Sequence, residues 1–282
     1  MTRAGTIELL RRARDGGYAI GAFNVIGLEH AEAIVAAAEA ERAPVILQLS
    51  ENAVAYHLGA VAPIGRACRA LADAARVPVA LHLDHATTRA LCEAALDAGF
   101  DSIMFDASAL PFDENAQATA EIAALARSRG AGLEAELGVV GGKDASMSSG
   151  GLTDPEAAAQ YVALTGADAL GVAVGSAHKM LARTARLDLG LVTRLRAMVP
   201  VPLVLHGASG VPDDALIAAV RSGIAKVNYA TQVNQAFTGA IREALLHDPA
   251  AVDPRPYLRA ARDAATGIVH DRLRVLGSAG RA

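Results

Sequence analysis

Tryptophan is absent from this chain, and aromatic residues make up only 4% of its 282 positions. That leaves little from which to build a surface that stacks nucleic-acid bases. Basic residues show no excess either. With 26 Lys and Arg against 30 Asp and Glu, the formal net charge is −4, which argues against nucleic acid or an anionic membrane as partner. Cysteine is nearly missing. Cys68 and Cys92 sit in Ala-rich, helix-like stretches, form no C-x-x-C and make no disulfide framework, which points to a reducing, cytoplasmic compartment. No run approaches the roughly 18 consecutive apolar residues that a membrane span needs. The opening residues, MTRAGTIELLRRARDGG, carry charge with no apolar core behind it, so no secretory leader is expected there.

What is present is apolar and rhythmic. Hydrophobic residues make up 52% of the chain, enough for a sizeable core. Eight short β-like runs alternate with longer amphipathic, Ala-rich segments. The runs are YAIGAFN (18–24), PVILQLS (44–50), VALHLDH (79–85), SIMFDAS (102–108), GLEAELG (132–138), ALGVAVG (169–175), PLVLHG (202–207) and AKVNYA (225–230). Short Val-, Ile- and Leu-rich runs separated by helical periodicity read as βα units on a parallel sheet, and eight such units close into a barrel. The expected fold is therefore α/β, a (β/α)8 TIM barrel. It forms a single domain over 1–282, with an extra helix before strand one (6–14) and a helical tail (256–276). No linker divides it. The longest Gly/Ser stretch, VVGGKDASMSSGGL (139–152), lies inside a βα connection, where a loop of that length is usually functional.

Barrels of this class build their active sites at the carboxyl ends of the strands. Here those ends carry Asn24, Ser50, Asp84 with His85, Asp106 with Ser108, Glu136, His178, His206 and Asn228. His85, His178 and His206 fall at or just past the ends of strands three, six and seven. Three imidazoles plus an open position make a catalytic zinc arrangement. A lone histidine in an apolar setting is more often a packed core residue, and that reading suits His82, between Leu81 and Leu83. His30, His57, His247 and His270 are expected at the surface. Asp84, beside His85, suits a proton shuttle or a partner to a metal ligand. Asp106 and Glu136 suit either a second cation, divalent or monovalent, or hydrogen bonds between loops.

Two turns suggest phosphate recognition. HGASGVPDD (206–214) places small residues and a helix start after strand seven, and NYATQ (228–232) opens the helix after strand eight. Loops at those two positions are the usual phosphate cradle of this fold, through backbone N–H groups and helix N-termini.

GAFNV, LHLDHA, SIMFDASALPFDEN, EAELGVVGG, VGSAH, PLVLHGASG, AKVNYAT and DPRPYL occur in one order, and with them the chain resembles the class II, metal-dependent fructose- and tagatose-bisphosphate aldolases. HGASG and NYAT look closer to the tagatose-bisphosphate branch. The resemblance implies a lyase that reversibly cleaves a phosphorylated ketose to dihydroxyacetone phosphate and glyceraldehyde 3-phosphate. In it His85, His178 and His206 would bind one catalytic Zn2+, and Asp106 and Glu136 would lie near an accessory metal. Asp84 would exchange the proton of the substrate's C4 hydroxyl. Asn24, Ser50, Gly207, Ser209, Asn228 and Thr231 would line the sugar and phosphate pocket. Arg255, in DPRPYL, would reach a substrate phosphate, in some members from a neighbouring subunit. A homodimer or homotetramer is implied.

The chain departs from the family pattern twice. In GGKDAS, Asp144 stands where the family has a glutamate that protonates the reacting carbon, and Lys143 precedes it. Aspartate is one methylene shorter, and a misplacement of about 1 Å can cost on the order of 100-fold in rate. In GSAHKML, Lys179 and Leu181 replace a glycine and a tyrosine, which sets the Lys179 ammonium near the phosphate or in solvent. These changes motivate an alternative, a non-catalytic or redirected sugar-phosphate or metal-binding homologue. A Schiff-base aldolase using Lys179 would leave three mouth histidines unexplained. A zinc hydrolase would lack its usual H-x-H at the end of strand one.

Overall fold

The eight apolar runs fold as strands: β1 (Ile20–Asn24), β2 (Val45–Ser50), β3 (Val79–Ala86), β4 (Ser102–Phe105), β5 (Gly132–Leu137), β6 (Ala169–Val172), β7 (Leu203–Leu205) and β8 (Ile224–Tyr229). In the computed structural model, which describes residues 5–137, 151–177, 180 and 182–282, each strand pairs in parallel with the next, and β8 returns to β1 to close a (β/α)8 TIM barrel. The connecting helices are α2 (Leu28–Glu41), α3 (Glu51–Tyr56) with α4 (Val61–Ala74), α5 (Arg89–Asp97), α6 (Phe112–Ser128), α7 (Pro155–Thr165), α8 (Leu189–Met198) and α9 (Asp213–Ser222). The helix expected before strand one is α1 (Thr6–Gly16), and the helical tail after β8 is α10 (Thr231–His247) and α11 (Arg255–Val275).

Local chemistry sets several of these ends. Thr88, Asp154 and Asp188 accept backbone N–H groups at the starts of α5, α7 and α8, satisfying donors that a helix end leaves open. Pro155 follows Asp154 at the first helical position, where its missing N–H costs nothing. Gly17 and Gly166 end α1 and α7 in the left-handed conformation.

Strand periodicity then divides the side chains. On β3, Leu81 and Leu83 face outward into the core shared with the helices, whereas Ala80, His82 and Asp84 face the barrel interior. The bottom of the interior is apolar: Ile20, Ala22, Ile46, Ala80, Ala169 and Val204 pack against Leu9, Leu10 and Ala13 of α1, which plugs that end. Each large side chain buried this way contributes about 1.5–3 kcal/mol. At the outside, α11 packs on α10 and α2, and Arg272 of α11 pairs with Asp213 at the start of α9.

Three runs are shorter as strands than their sequences suggest. β4 stops at Phe105, β6 at Val172 and β7 at Leu205, because the polar or glycine-bearing residues beyond them leave the ladder and turn into the mouth. His30 is not at the surface as expected. It is 5% exposed and stacks on Phe237 of α10 with ring centroids 4.1 Å apart, so an aromatic ring from a distant helix covers it. His82 lies inside the barrel, as its alternation with leucines implies. Among the described residues no helix is long and apolar enough to cross a membrane.

Candidate active site

Above its apolar floor the barrel interior becomes polar in steps. Gln48, His82, Glu134 and Lys226 form a middle layer, each no more than 1% exposed. Above them, at the carboxyl ends of the strands, sit Asn24, Ser50, Asp84, His85, Asp106, Glu136, His206 and Asn228. Such a column of polar groups survives in a barrel core only if its members satisfy one another.

Asp84 and His85 are consecutive, and on a regular strand they would point to opposite faces. Here β3 is irregular. Its register with β4 shifts between Leu83 and Ala86, and His85 takes a left-handed φ of 54°. The extra residue re-aims the chain, as bulges do beside active sites, so both side chains serve the mouth. Asp84, His85 and His206 consequently offer ligand atoms that all lie within 4.8 Å of one another. The two imidazoles meet edge to face, with centroids 5.0 Å apart.

Each imidazole is held by a carboxylate on one nitrogen. Asp106 Oδ2 lies 2.9 Å from His85 Nδ1, and Glu134 Oε1 lies 3.0 Å from His206 Nε2. Glu136 Oε2 approaches the other nitrogen of His206, Nδ1, at 3.8 Å. Asn228 spans the pair, its Nδ2 lying 3.4 Å from Asp84 Oδ1 and 3.5 Å from His206 Nδ1. Burial pushes the Asp84 carboxyl up, but His85, His206, Lys226 and His82 together outweigh it and hold the group below its ordinary value. Asp84 is therefore an ionised acceptor at neutral pH. Burial acts on Glu134 in the same sense and is likewise overcome, first by Lys226 and then by the His206 hydrogen bond.

The group opens into a cavity of about 470 Å3, roomy enough for a phosphorylated sugar. Its walls bring together Asn24, Ser50, Asp84, His85, Gly207, Ser209, Asn228 and Thr231, all singled out from the sequence. Ser50 also caps α3 through its Oγ, which accepts Ala53 N–H. At the opposite wall Gly207 has φ 68° and leads into a 3-10 turn (Ala208–Gly210), while Thr231 begins α10. Small residues and a helix N-terminus converge there, a combination suited to an anion.

The remaining predicted residues fall elsewhere. Asp106 and Glu136 stand behind the histidines rather than on the cavity wall. Arg255 opens α11 at the exterior, 84% exposed and paired with Asp253. His178, Lys179 and Asp144 lie outside the described residues.

The sequence reading missed Glu134, Lys226 and Gln48. Glu134 shares an interior face with Glu136 two residues on, and Lys226 with Asn228, so a period-2 reading of charged residues inside apolar strands is the signal that would have found them. Gln48 Nε2 donates to Asn24 Oδ1 at 2.8 Å, whereas its Oε1 is buried beside the cavity with no hydrogen-bond partner among the described residues.

Comparison with known proteins agrees with this geometry. The family model described as fructose-bisphosphate aldolase class-II matches residues 4–281. A protein of Geobacillus stearothermophilus named fructose-bisphosphate aldolase is 40% identical over 98% of this chain and 97% of its own length. A Staphylococcus epidermidis protein of the same name is 38% identical over the same shares. The crystal structure of the YdjI aldolase from Escherichia coli K12 superimposes with a TM-score of 0.87 and 32% identity, covering 100% of both chains. The chain thus belongs to the class II fructose-bisphosphate aldolase family, and it is by that membership a carbon–carbon lyase.

Proposed function

We propose that the chain, as one aldolase domain over 1–282, cleaves a ketose 1,6-bisphosphate of the fructose or tagatose type to dihydroxyacetone phosphate and glyceraldehyde 3-phosphate, using one zinc ion. The observation that carries this reading is the convergence of Asp84, His85 and His206, whose ligand atoms lie within 4.8 Å of one another, with Asp84 and His85 on the cavity wall. Two imidazoles that each rest on a carboxylate are a donor set suited to zinc, and His178 would be the third ligand, though it lies outside the described residues. Zinc held there would supply Lewis-acid polarisation of the substrate ketone.

The chain's own residues would do the rest. Gly207, Ser209 and Thr231 would hold a phosphate against the turn after β7 and the start of α10. Asn24, Ser50 and Asn228 would orient the hydroxyls. Asp84, ionised and within reach of Asn228, would accept the proton of the C4 hydroxyl as the C3–C4 bond breaks and C4 becomes the aldehyde carbon. Asp144 would return a proton to C3, and Lys179 would meet a phosphate, both from outside the described residues. Asp106 and Glu136 would leave room for a second cation. We read the protein as a cytoplasmic homodimer or homotetramer, with Arg255 reaching a phosphate across subunits, since it lies outside its own chain's cavity.

The test is cleavage of fructose 1,6-bisphosphate and tagatose 1,6-bisphosphate by the purified protein, before and after EDTA, with zinc restored. Activity abolished by EDTA and recovered with zinc is expected, and the faster sugar assigns the branch. Stoichiometric zinc without cleavage of either sugar would mean that Asp144 and Lys179 have redirected the site. EDTA-resistant cleavage would sink the metal reading.

A further inference from the structure

Below the mouth lies a charged group that the proposed reaction does not use. Glu134 of β5 is 1% exposed and Lys226 of β8 is fully buried, 2.6 Å apart between Oε2 and Nζ. His82 of β3 approaches the same Oε2 through Nε2 at 3.6 Å, and its Nδ1 lies 2.7 Å from Ser102 Oγ, which in turn donates to Thr6 of α1. Removing a carboxylate and an ammonium from water is expensive, and an apolar pair of similar volume would serve a barrel core at least as well. The arrangement therefore calls for a reason beyond stability. Its upper end supplies one, because the second oxygen of Glu134, Oε1, meets His206 Nε2 at 3.0 Å.

A carboxylate accepts and cannot donate, so Nε2 of His206 carries a proton, and in the neutral ring that metal binding requires Nδ1 is then the nitrogen with the lone pair. Nδ1 is the nitrogen that faces Asn228, a residue of the cavity wall, whose Nδ2 lies 3.5 Å away, with Glu136 Oε2 at 3.8 Å. The ring has little room to turn over. Gly171 of β6 lies against it so closely that a Cβ there would stand 3.2 Å from Nε2, and His85 covers its edge. We infer that Glu134, kept in place by Lys226, is a positioning residue that dictates which nitrogen of His206 is offered to the metal. The inference rests on the reading of His206 as a ligand. Lys226 has a definite part in it. An amide at position 134 would turn its oxygen to the ammonium and its NH2 to His206, favouring the proton on Nδ1, the wrong tautomer for binding.

This yields a rescue test. Zinc affinity is measured by competition with a chromogenic chelator for the wild type, Glu134→Gln, the double variant Glu134→Gln/Lys226→Met, and His206→Ala. Glu134→Gln should bind zinc roughly 10–100-fold more weakly. The double variant frees the amide to present its oxygen to Nε2–H, and should recover most of that loss. In parallel, 15N spectra of the metal-free wild type should place the His206 proton on Nε2. Unchanged zinc affinity in Glu134→Gln overturns the inference. So does an unrescued double variant that melts like the wild type, which would reduce Glu134 to a structural role. A proton on Nδ1 in the wild type overturns it even if no variant folds. If His206→Ala binds zinc as well as the wild type, it is the ligand reading that fails, while the tautomer measurement still judges Glu134 alone.

Discussion

Asp84 shows how far a single residue can be read from its neighbours. Its place beside a histidine at the end of an apolar strand marked it as a candidate proton carrier. Its ionisation could not be read there, because burial alone would favour the neutral acid and only the surrounding His85, His206 and Lys226 reverse that. Asp84→Asn keeps the shape and the contact with Asn228 but removes the base. Cleavage should fall about 100- to 10,000-fold with zinc content unchanged, measured by steady-state kinetics and metal analysis on the same sample. Retained cleavage would assign the proton transfer elsewhere. Glu134 is the counterexample. It stands two residues from Glu136 in the same strand, yet nothing in the run GLEAELG says that one carboxylate reaches His206 Nε2 and the other lies near Nδ1.

At the scale of the element, the instructive features are where regular structure stops. The bulge in β3 turns an adjacent Asp and His toward one point, and the loss of ladder after β7 lets Gly207 adopt φ 68°. A Cβ on Gly207 would sit 2.5 Å from the carbonyl of Ala177, in the segment that leads to His178. Backbone cannot yield as a flexible side chain does. Gly207→Ala should therefore cost at least about 1–2 kcal/mol from the left-handed conformation alone, and lower the melting temperature accordingly. Gly239→Ala, inside α10 with nothing within 4 Å of the added methyl, should be neutral or stabilising by about 0.4–1 kcal/mol. Equal melting temperatures for the two variants would contradict the steric account. The start of α7, by contrast, rests on local chemistry alone, with Asp154 capping the helix and Pro155 at its first position.

For the molecule as a whole, the polar column through the barrel ties folding stability to pH. Burial, reinforced by Lys226, lowers His82 from its ordinary 6.5 to about 3, against opposing pulls from Glu134 and Asp84. The folded protein thus keeps His82 neutral while the unfolded chain protonates it below 6.5. Between those values the unfolded state binds more protons, so the stability is complete above pH 6.5 and declines as the pH falls. At pH 5 the loss amounts to about 2 kcal/mol from this one group. The groups facing it, Glu134 of β5, Lys226 of β8, Asp84 of β3 and His206 beyond β7, are present in either variant. Denaturant midpoints of the metal-free protein should drop more between pH 7 and pH 5 for the wild type than for His82→Gln. Parallel declines would show that His82 is not the group responsible. Glu134 and Asp84, whose values are depressed, contribute above the ordinary carboxylate range and lose that contribution only at more acid pH.

The sequence by itself determined the eight-fold βα rhythm, the polar strand ends and the family motifs. Each depends on local periodicity and composition, which no tertiary contact has to supply. Only the closed barrel decided the rest. Strand pairing puts Asn24 of β1 beside Gln48 of β2, and closure brings Glu134 of β5 and Lys226 of β8 together with His206, just past β7. Which nitrogen of an imidazole faces the cavity, whether a carboxyl is ionised, and whether a buried charge has its partner are properties of pairs distant in the chain. Their energies are set by separations of a few ångströms and by the exclusion of water, and neither is written in the order of residues.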